Sequence, residues 1–214
     1  MGQLKAIAFD LDGTLVDADE LHYVALNRAL AQCGPQAPIT REEHLSTFKG
    51  LPTIKKLEIL LEAKRITGSE WREVNLRKLQ ETLVAIKETL NPDPEKLLLL
   101  SALKRDGWQI CVCSNAMRKS VRAMLEQCQL ARFLDFWLSN QDTIPKPAPD
   151  MYLLAAKLYG IEASQLVVVE DALPGKQAAQ AAGCLLVEVE GPVEVGPYLI
   201  PRINAMLKEE TYAG

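Results

Sequence analysis

The order of apolar and polar residues divides the chain into two kinds of territory. In the larger part, short apolar runs of four to six residues alternate with segments of helical period. That alternation is the signature of an α/β domain whose parallel sheet is covered on both faces. The runs Lys5–Asp10, Gln109–Ser114, Leu134–Ser139, Leu166–Glu170 and Cys184–Val189 predict strands, each rich in Val, Ile, Leu or Phe and most closed by a polar residue. The intervening stretches 94–106, 117–129, 148–159 and 174–182 predict helices, and Gly107, Gly160 and Gly183 stand just past three of their ends, as left-handed caps do.

Residues 17–90 break this rhythm. No strand-like run occurs there; Leu57, Leu60, Leu61 and Lys64, then Trp71, Val74, Leu76, Leu79, Leu83 and Ile86, follow an amphipathic helical pattern instead. The expected architecture is therefore a Rossmann-like parallel sheet core, residues 1–16 and 91–214, with an all-helical domain, residues 17–90, inserted after the first strand. Asn91-Pro92-Asp93-Pro94 predicts the return hinge, because two prolines stiffen the link and stop a helix.

Composition narrows the function classes. With 214 residues, 48% of them hydrophobic, the chain can bury a sizeable core, which argues against disorder. A net charge of −4 and a pI near 5.4 argue against nucleic acid or an anionic membrane as main partner. The insertion is balanced, with 11 acidic and 11 basic side chains, so the remainder carries the whole excess. No apolar stretch approaches the ~20 residues of a membrane span; the longest aliphatic run is Leu97–Leu100. Met1 to Lys5 lead straight into the first strand, which leaves no room for a signal peptide, and Ala6 breaks the myristoylation pattern. A cytoplasmic location is expected. Five scattered cysteines read as free thiols, with Cys111 and Cys113 as small buried hydrophobes on one face of a strand. Two histidines are too few for a His-rich zinc site.

The candidate chemistry sits at strand ends. The first strand closes with Asp10-Leu11-Asp12-Gly13-Thr14, two carboxylates at the edge where open α/β sheets bind ligands. Taken alone they could be solvated loop aspartates. The second strand runs into Ser114-Asn115-Ala116, whose hydroxyl, amide and backbone N–H groups suit an anion, or equally an ordinary helix cap. Pro145-Lys146-Pro147-Ala148-Pro149 holds one lysine in a stiff, non-helical segment, a fixed point charge for phosphate or a solvated surface group. After Leu166–Val169 come Glu170 and Asp171, adjacent carboxylates that repel unless a cation lies between them; oxygen donors of this kind favour Mg²⁺.

The four motifs in this order closely resemble those of the haloacid-dehalogenase-like (HAD) phosphohydrolase superfamily: Asp10-x-Asp12-Gly13-Thr14, Ser114-Asn115, Lys146 and Glu170-Asp171. The spacings, 32 residues from Ser114 to Lys146 and 24 from Lys146 to Glu170, are usual for that family, and the helical insertion resembles its cap domain. The resemblance implies a phosphatase for a small phosphorylated metabolite such as a sugar phosphate. It implies Asp10 as nucleophile, Asp12 as acid and base, and Ser114, Asn115 and Lys146 as phosphate binders. It also implies Mg²⁺ held by Asp10, the Asp12 carbonyl and Asp171, with Glu170 bound directly or through water. A cation is needed on Coulomb grounds, since a carboxylate within ~4 Å of a phosphate dianion costs about 4 kcal/mol per charge pair at an effective dielectric of 20. Asp12 speaks against dehalogenation, whose enzymes lack an acid–base aspartate there, and the layout does not fit a two-component receiver.

Within the family, Asp17 to His22 and Phe48 to Thr53 resemble the β-phosphoglucomutase-like branch. That resemblance implies His22 near the general acid and the Lys49-Gly50 loop facing substrate. His22 also reads as a partly exposed residue in a helix's first turn. The mutases place an arginine where Thr53 stands, with Lys55 and Lys56 close by, and a threonine where Ala18 stands. Both departures favour a hydrolase over the alternative, a phosphosugar mutase. A non-catalytic phosphosugar-binding protein is a third reading, against which Asp10 and Asp12 are both retained. The expected state is a monomer or weak dimer.

Overall fold

Five short apolar strands make one sheet: β1 (Ala6–Phe9), β2 (Gln109–Cys113), β3 (Phe136–Leu138), β4 (Leu166–Glu170) and β5 (Leu185–Glu188), ordered β3-β2-β1-β4-β5. Every pairing is parallel. The alternating pattern predicted this α/β fold and each strand to within two residues at either end. The computed structural model describes residues 5–33, 38–48 and 51–209. It divides into two units, residues 1–17 with 91–214, and residues 18–90.

In chain order the main helices are α1 (Asp19–Cys33), α2 (Thr53–Glu62), α3 (Gly68–Thr89), α4 (Pro94–Arg105), α5 (Arg118–Gln127), α6 (Asp150–Tyr159), α7 (Leu173–Ala182) and α8 (Ile200–Glu209). In the first unit, strand pleating sorts the side chains. Ala6, Ala8, Cys111, Cys113, Leu166 and Val168 share one face and are buried with Tyr152 and Ala155 of α6 and Ala178 and Ala179 of α7. Cys111 and Cys113 thus lie in the core as free thiols. Gly160 and Gly183 end α6 and α7 in the left-handed conformation, at φ of 69° and 75°.

β1 lies between β2 and β4, so the chain first builds the sheet to one side and then to the other. That reversal opens a crevice at the carboxyl ends of β1 and β4, where ligands bind in such sheets. The register Phe9↔Val169 brings Asp10 beside Glu170 at the next step, and Asp10 N–H still donates to the Val169 carbonyl at 3.0 Å.

The second unit is helical. α1 runs along α3, and Leu26, Leu30, Phe48, Leu57, Leu60 and Val74 are buried together. Two helical starts are fixed by capping boxes, Thr40 with Glu43 and Thr67 with Glu70, the latter opening α3. The Pro92–Pro94 segment does more than stiffen the return of the chain. Asp93 caps α4 by accepting from Glu95 N–H at 2.9 Å, with Pro94 as first helical residue, where its missing N–H costs nothing. Among the described residues no helix is long and apolar enough to cross a membrane.

Candidate active site

Strand parity assembles the site. Ala6, Ala8 and Asp10 alternate onto the same face as Leu166, Val168 and Glu170, so two carboxylates extend an otherwise apolar surface into the crevice. Asp10 is 8% exposed and Glu170 only 1%. Two buried charges of one sign demand a cation. Lys146 supplies it, reaching in from the proline-rich loop before α6.

The Lys146 ammonium lies 2.6 Å from Asp10 Oδ1 and 2.5 Å from Glu170 Oε1, and donates to the Cys113 carbonyl at 2.7 Å. An ammonium has three protons, and these contacts use all three. Sequence reasoning set a divalent cation between Glu170 and Asp171; the structure in addition sets the Lys146 ammonium between Asp10 and Glu170. Burial alone would lower the Lys146 ammonium, but the two carboxylates reverse this and hold it above the ordinary lysine value. Burial, and then the Glu170 charge, push the Asp10 carboxyl well above the aspartate range, with Lys146 opposing them. One ammonium cannot neutralise two buried carboxylates.

Asn115 fixes the lysine loop to the end of β2. Its Nδ2 donates to the Lys146 carbonyl and its Oδ1 accepts from Lys146 N–H, both at 2.9 Å. Ser114, wholly buried, donates through Oγ to Asp12 Oδ2 at 3.2 Å and accepts from Ala116 N–H at 3.0 Å. Neither residue caps a helix: α5 starts at Arg118 with Met117 at the cap position. The cap alternative for Ser114 and Asn115 is therefore set aside.

Asp171 is held from two sides. Thr14 Oγ1 donates to its Oδ1 at 2.8 Å, and Gly13, at a left-handed φ of 94°, leaves no room for a side chain, since a Cβ there would collide with the Asp171 carboxylate. Burial raises the Asp171 carboxyl and the Thr14 hydrogen bond opposes it. Gly175, in the first turn of α7, stands in the same relation to Glu170, where a Cβ would overlap the carboxylate.

Carboxylate oxygens of Asp10, Glu170 and Asp171 lie within 4.8 Å of one another. This donor set fits Mg²⁺: it is all oxygen, it carries more negative charge than Lys146 neutralises, and two glycines keep side-chain bulk off its carboxylates. The Asp12 carboxylate is not one of the three; it faces Ser114. In the helical unit, His22 Nδ1 lies 3.3 Å from Lys78 Nζ. Lys49 and Gly50, the predicted substrate loop, lie outside the described residues.

Sequence reasoning missed Tyr152, buried in the first turn of α6, whose hydroxyl donates to Glu170 Oε1 at 2.5 Å. Its only signal was its place six residues after Lys146. The roles of Thr14 and Gly175 also went unread.

Comparison with known proteins supplies independent findings. A family model described as haloacid dehalogenase-like hydrolase matches residues 7–189. Hexitol phosphatase A of Escherichia coli K12 is 30% identical over 200 residues, covering 94% of this chain and 87% of the relative. Beta-phosphoglucomutase of Bacillus subtilis 168 is 29% identical over 220 residues, covering 97% and 93%. The chain spans only 18% of a longer relative, the Protein SUPPRESSOR OF QUENCHING 1, chloroplastic, of Arabidopsis thaliana, to which it is 29% identical over 88% of its own residues. Among solved structures, CbbY from Rhodobacter sphaeroides in complex with phosphate has a TM-score of 0.76 at 24% identity, covering 88% of this chain and 87% of the other, a likeness of fold.

Proposed function

The chain belongs to the haloacid dehalogenase-like hydrolase family, and we propose that it is a phosphoric monoester hydrolase that removes phosphate from a small sugar or sugar-alcohol phosphate through an aspartyl-phosphate on Asp10. One observation carries this reading: a buried aspartate at the end of β1 is held by a lysine 2.6 Å away, beside an acidic trio suited to a divalent cation. The names of the two relatives, a hexitol phosphatase and a phosphoglucomutase, support a phosphorylated carbohydrate as substrate.

In this mechanism the ionised Asp10 carboxylate attacks phosphorus. A carboxylate O–P bond forms as the P–O bond to the sugar oxygen breaks. Asp12, as the acid, gives its proton to the departing oxygen, then as a carboxylate takes one from water, whose oxygen attacks phosphorus. Inorganic phosphate leaves and Asp10 is restored. Acid–base assistance of this kind contributes ~10²–10⁴ in rate. The Ser114 hydroxyl, 3.2 Å from Asp12, steadies the acid and borders the phosphoryl position. Asn115 holds Lys146 in register, and Lys146 exchanges one of its three partners for a phosphoryl oxygen.

Asp10, Glu170 and Asp171, with the Asp12 backbone carbonyl, would hold Mg²⁺, which when bound supplies positive charge beside the phosphoryl oxygens. Residues 17–90 act in this reading as the cap that selects the substrate, with His22 and the Lys49-Gly50 loop as its contacts. A cytoplasmic location and a monomer or weak dimer accompany it.

The test is phosphate release from p-nitrophenyl phosphate with Mg²⁺. Wild type should turn over and Asp10→Asn should not; equal turnover defeats the nucleophile assignment. A panel of sugar phosphates with a bisphosphate primer then separates phosphate release from isomer formation. Isomer formation would make the protein a mutase, and binding without either product a non-catalytic receptor.

A further inference from the structure

We infer that Tyr152 is a positioning residue of this site and acts through Glu170. The inference rests on the reading of Asp10, Glu170 and Asp171 as the cation site.

Glu170 Oε1 accepts two short hydrogen bonds, from Tyr152 Oη and from Lys146 Nζ, each at 2.5 Å. Lys146 and Tyr152 come from one short segment, the proline-rich loop and the first turn of α6, and the ammonium also sits 5.1 Å from the centre of the tyrosine ring. The ring itself is wholly buried, in the cluster that includes Met151, Ala155 and Cys113. It therefore cannot follow Glu170 if the carboxylate turns. Gly175 brings the α7 backbone so close to the Glu170 carboxylate that no side chain fits, a Cβ there falling nearest the same Oε1. The carboxylate is thus held by a rigid donor and a rigid wall. One oxygen is committed to Tyr152 and Lys146, which leaves the other for the acidic cluster.

The chemistry gives this arrangement a purpose. Lys146 has no spare proton while it binds Asp10, Glu170 and the Cys113 carbonyl. To meet a phosphoryl oxygen it must release one of them. If it releases Glu170, Tyr152 still donates to the same oxygen, so the buried carboxylate keeps a partner and its orientation. A buried acceptor stripped of every donor would be costly and free to rotate.

The test measures cation binding without turnover. Mg²⁺ is titrated calorimetrically into metal-free wild type and Tyr152→Phe, with thermal unfolding of both as a check on folding. Loss of a hydrogen bond to a metal-binding group typically weakens affinity ~10–100-fold, so a dissociation constant at least about tenfold weaker is expected. A change below about tenfold overturns the inference. Should Tyr152→Phe fail to fold, Tyr152→Met, which also lacks the hydroxyl, takes its place in the titration. The same weakening supports the inference and unchanged affinity overturns it. If wild type itself binds no Mg²⁺, the cation site fails with it; if wild type binds and the variants match it, only the role of Tyr152 fails.

Discussion

Lys146 and Asp10 form a buried ion pair, Nζ to Oδ1 2.6 Å, in which the lysine also serves Glu170. Removing one member of a buried pair costs ~3–5 kcal/mol, because the remaining charge is left uncompensated. Lys146→Met leaves two such carboxylates. Without divalent cation, its unfolding free energy in urea should fall by about 3 kcal/mol or more. Added Mg²⁺ should recover more stability in this variant than in wild type, because it supplies the missing positive charge. A variant as stable as wild type without metal would show that the lysine is not what balances the site.

The Asp12 side chain faces Ser114 and stands outside the acidic trio. Asp12→Asn keeps an oxygen for the Ser114 hydroxyl but cannot transfer the proton. Steady-state hydrolysis should drop ~10²–10⁴-fold, while Mg²⁺ affinity by calorimetry stays close to wild type. Parallel loss of both would make Asp12 a carboxylate ligand instead.

Gly13 has a different kind of constraint, a left-handed φ of 94° combined with the Asp171 carboxylate directly in the path of a Cβ. Gly13→Ala should therefore cost ~1–2 kcal/mol of backbone strain and also displace Asp171 from its Thr14 hydrogen bond. The readout is the rise in melting temperature on adding Mg²⁺, which reports binding to the folded state. That rise should be largely lost in the variant. A full Mg²⁺-induced rise would show that Asp171 is not needed there.

A pH prediction comes from the helical unit. Lys56, on α2, is only 5% exposed, and burial lowers its ammonium to about 8 from the ordinary lysine value of 10.5, with Asp19 opposing. The folded protein then releases a proton near pH 8 that the unfolded chain keeps to about pH 10.5. Between these values the unfolded state binds more protons, so stability rises with pH; below pH 8 the full penalty stands. The size is about 3 kcal/mol. Lys56→Met should slow amide hydrogen exchange across Thr53–Glu62 at pH 7, and its advantage over wild type should shrink as the pH approaches 10. A variant less protected at pH 7 would mean that the lysine contributes more by its contacts than it costs by its charge.

The sheet was legible because a buried parallel strand is a continuous apolar run, and Leu166–Val169 or Gln109–Cys113 cannot hide. The motif residues were legible for a related reason: a carboxylate, hydroxyl or lysine directly after such a run must lie at the sheet's ligand-binding edge. What joined them was not. That Lys146 spends its protons on Asp10, Glu170 and a carbonyl, or that Tyr152 reaches Glu170, depends on register and helix placement, and periodicity is silent about both. In residues 17–90 the helical period was clear but the breaks were not. Thr40-x-x-Glu43 and Thr67-x-x-Glu70 are capping-box spellings that mark two of them. Ser114 and Asn115 illustrate the converse error, since residues favoured at helix starts stand there three and two residues before the cap position, Met117.

The two-way clasp between the Asn115 amide and the Lys146 main chain has a consequence for how this protein can vary. It fastens together two points 31 residues apart in sequence, so one side chain sets where the lysine loop meets the end of β2. The far side of the excursion between those points is tied down separately, by the buried Cys128 and Leu130. A single change of Asn115 to a residue lacking paired donor and acceptor would release the Lys146 end at once, leaving the pairing of β2 with β3 to hold the rest of the arc.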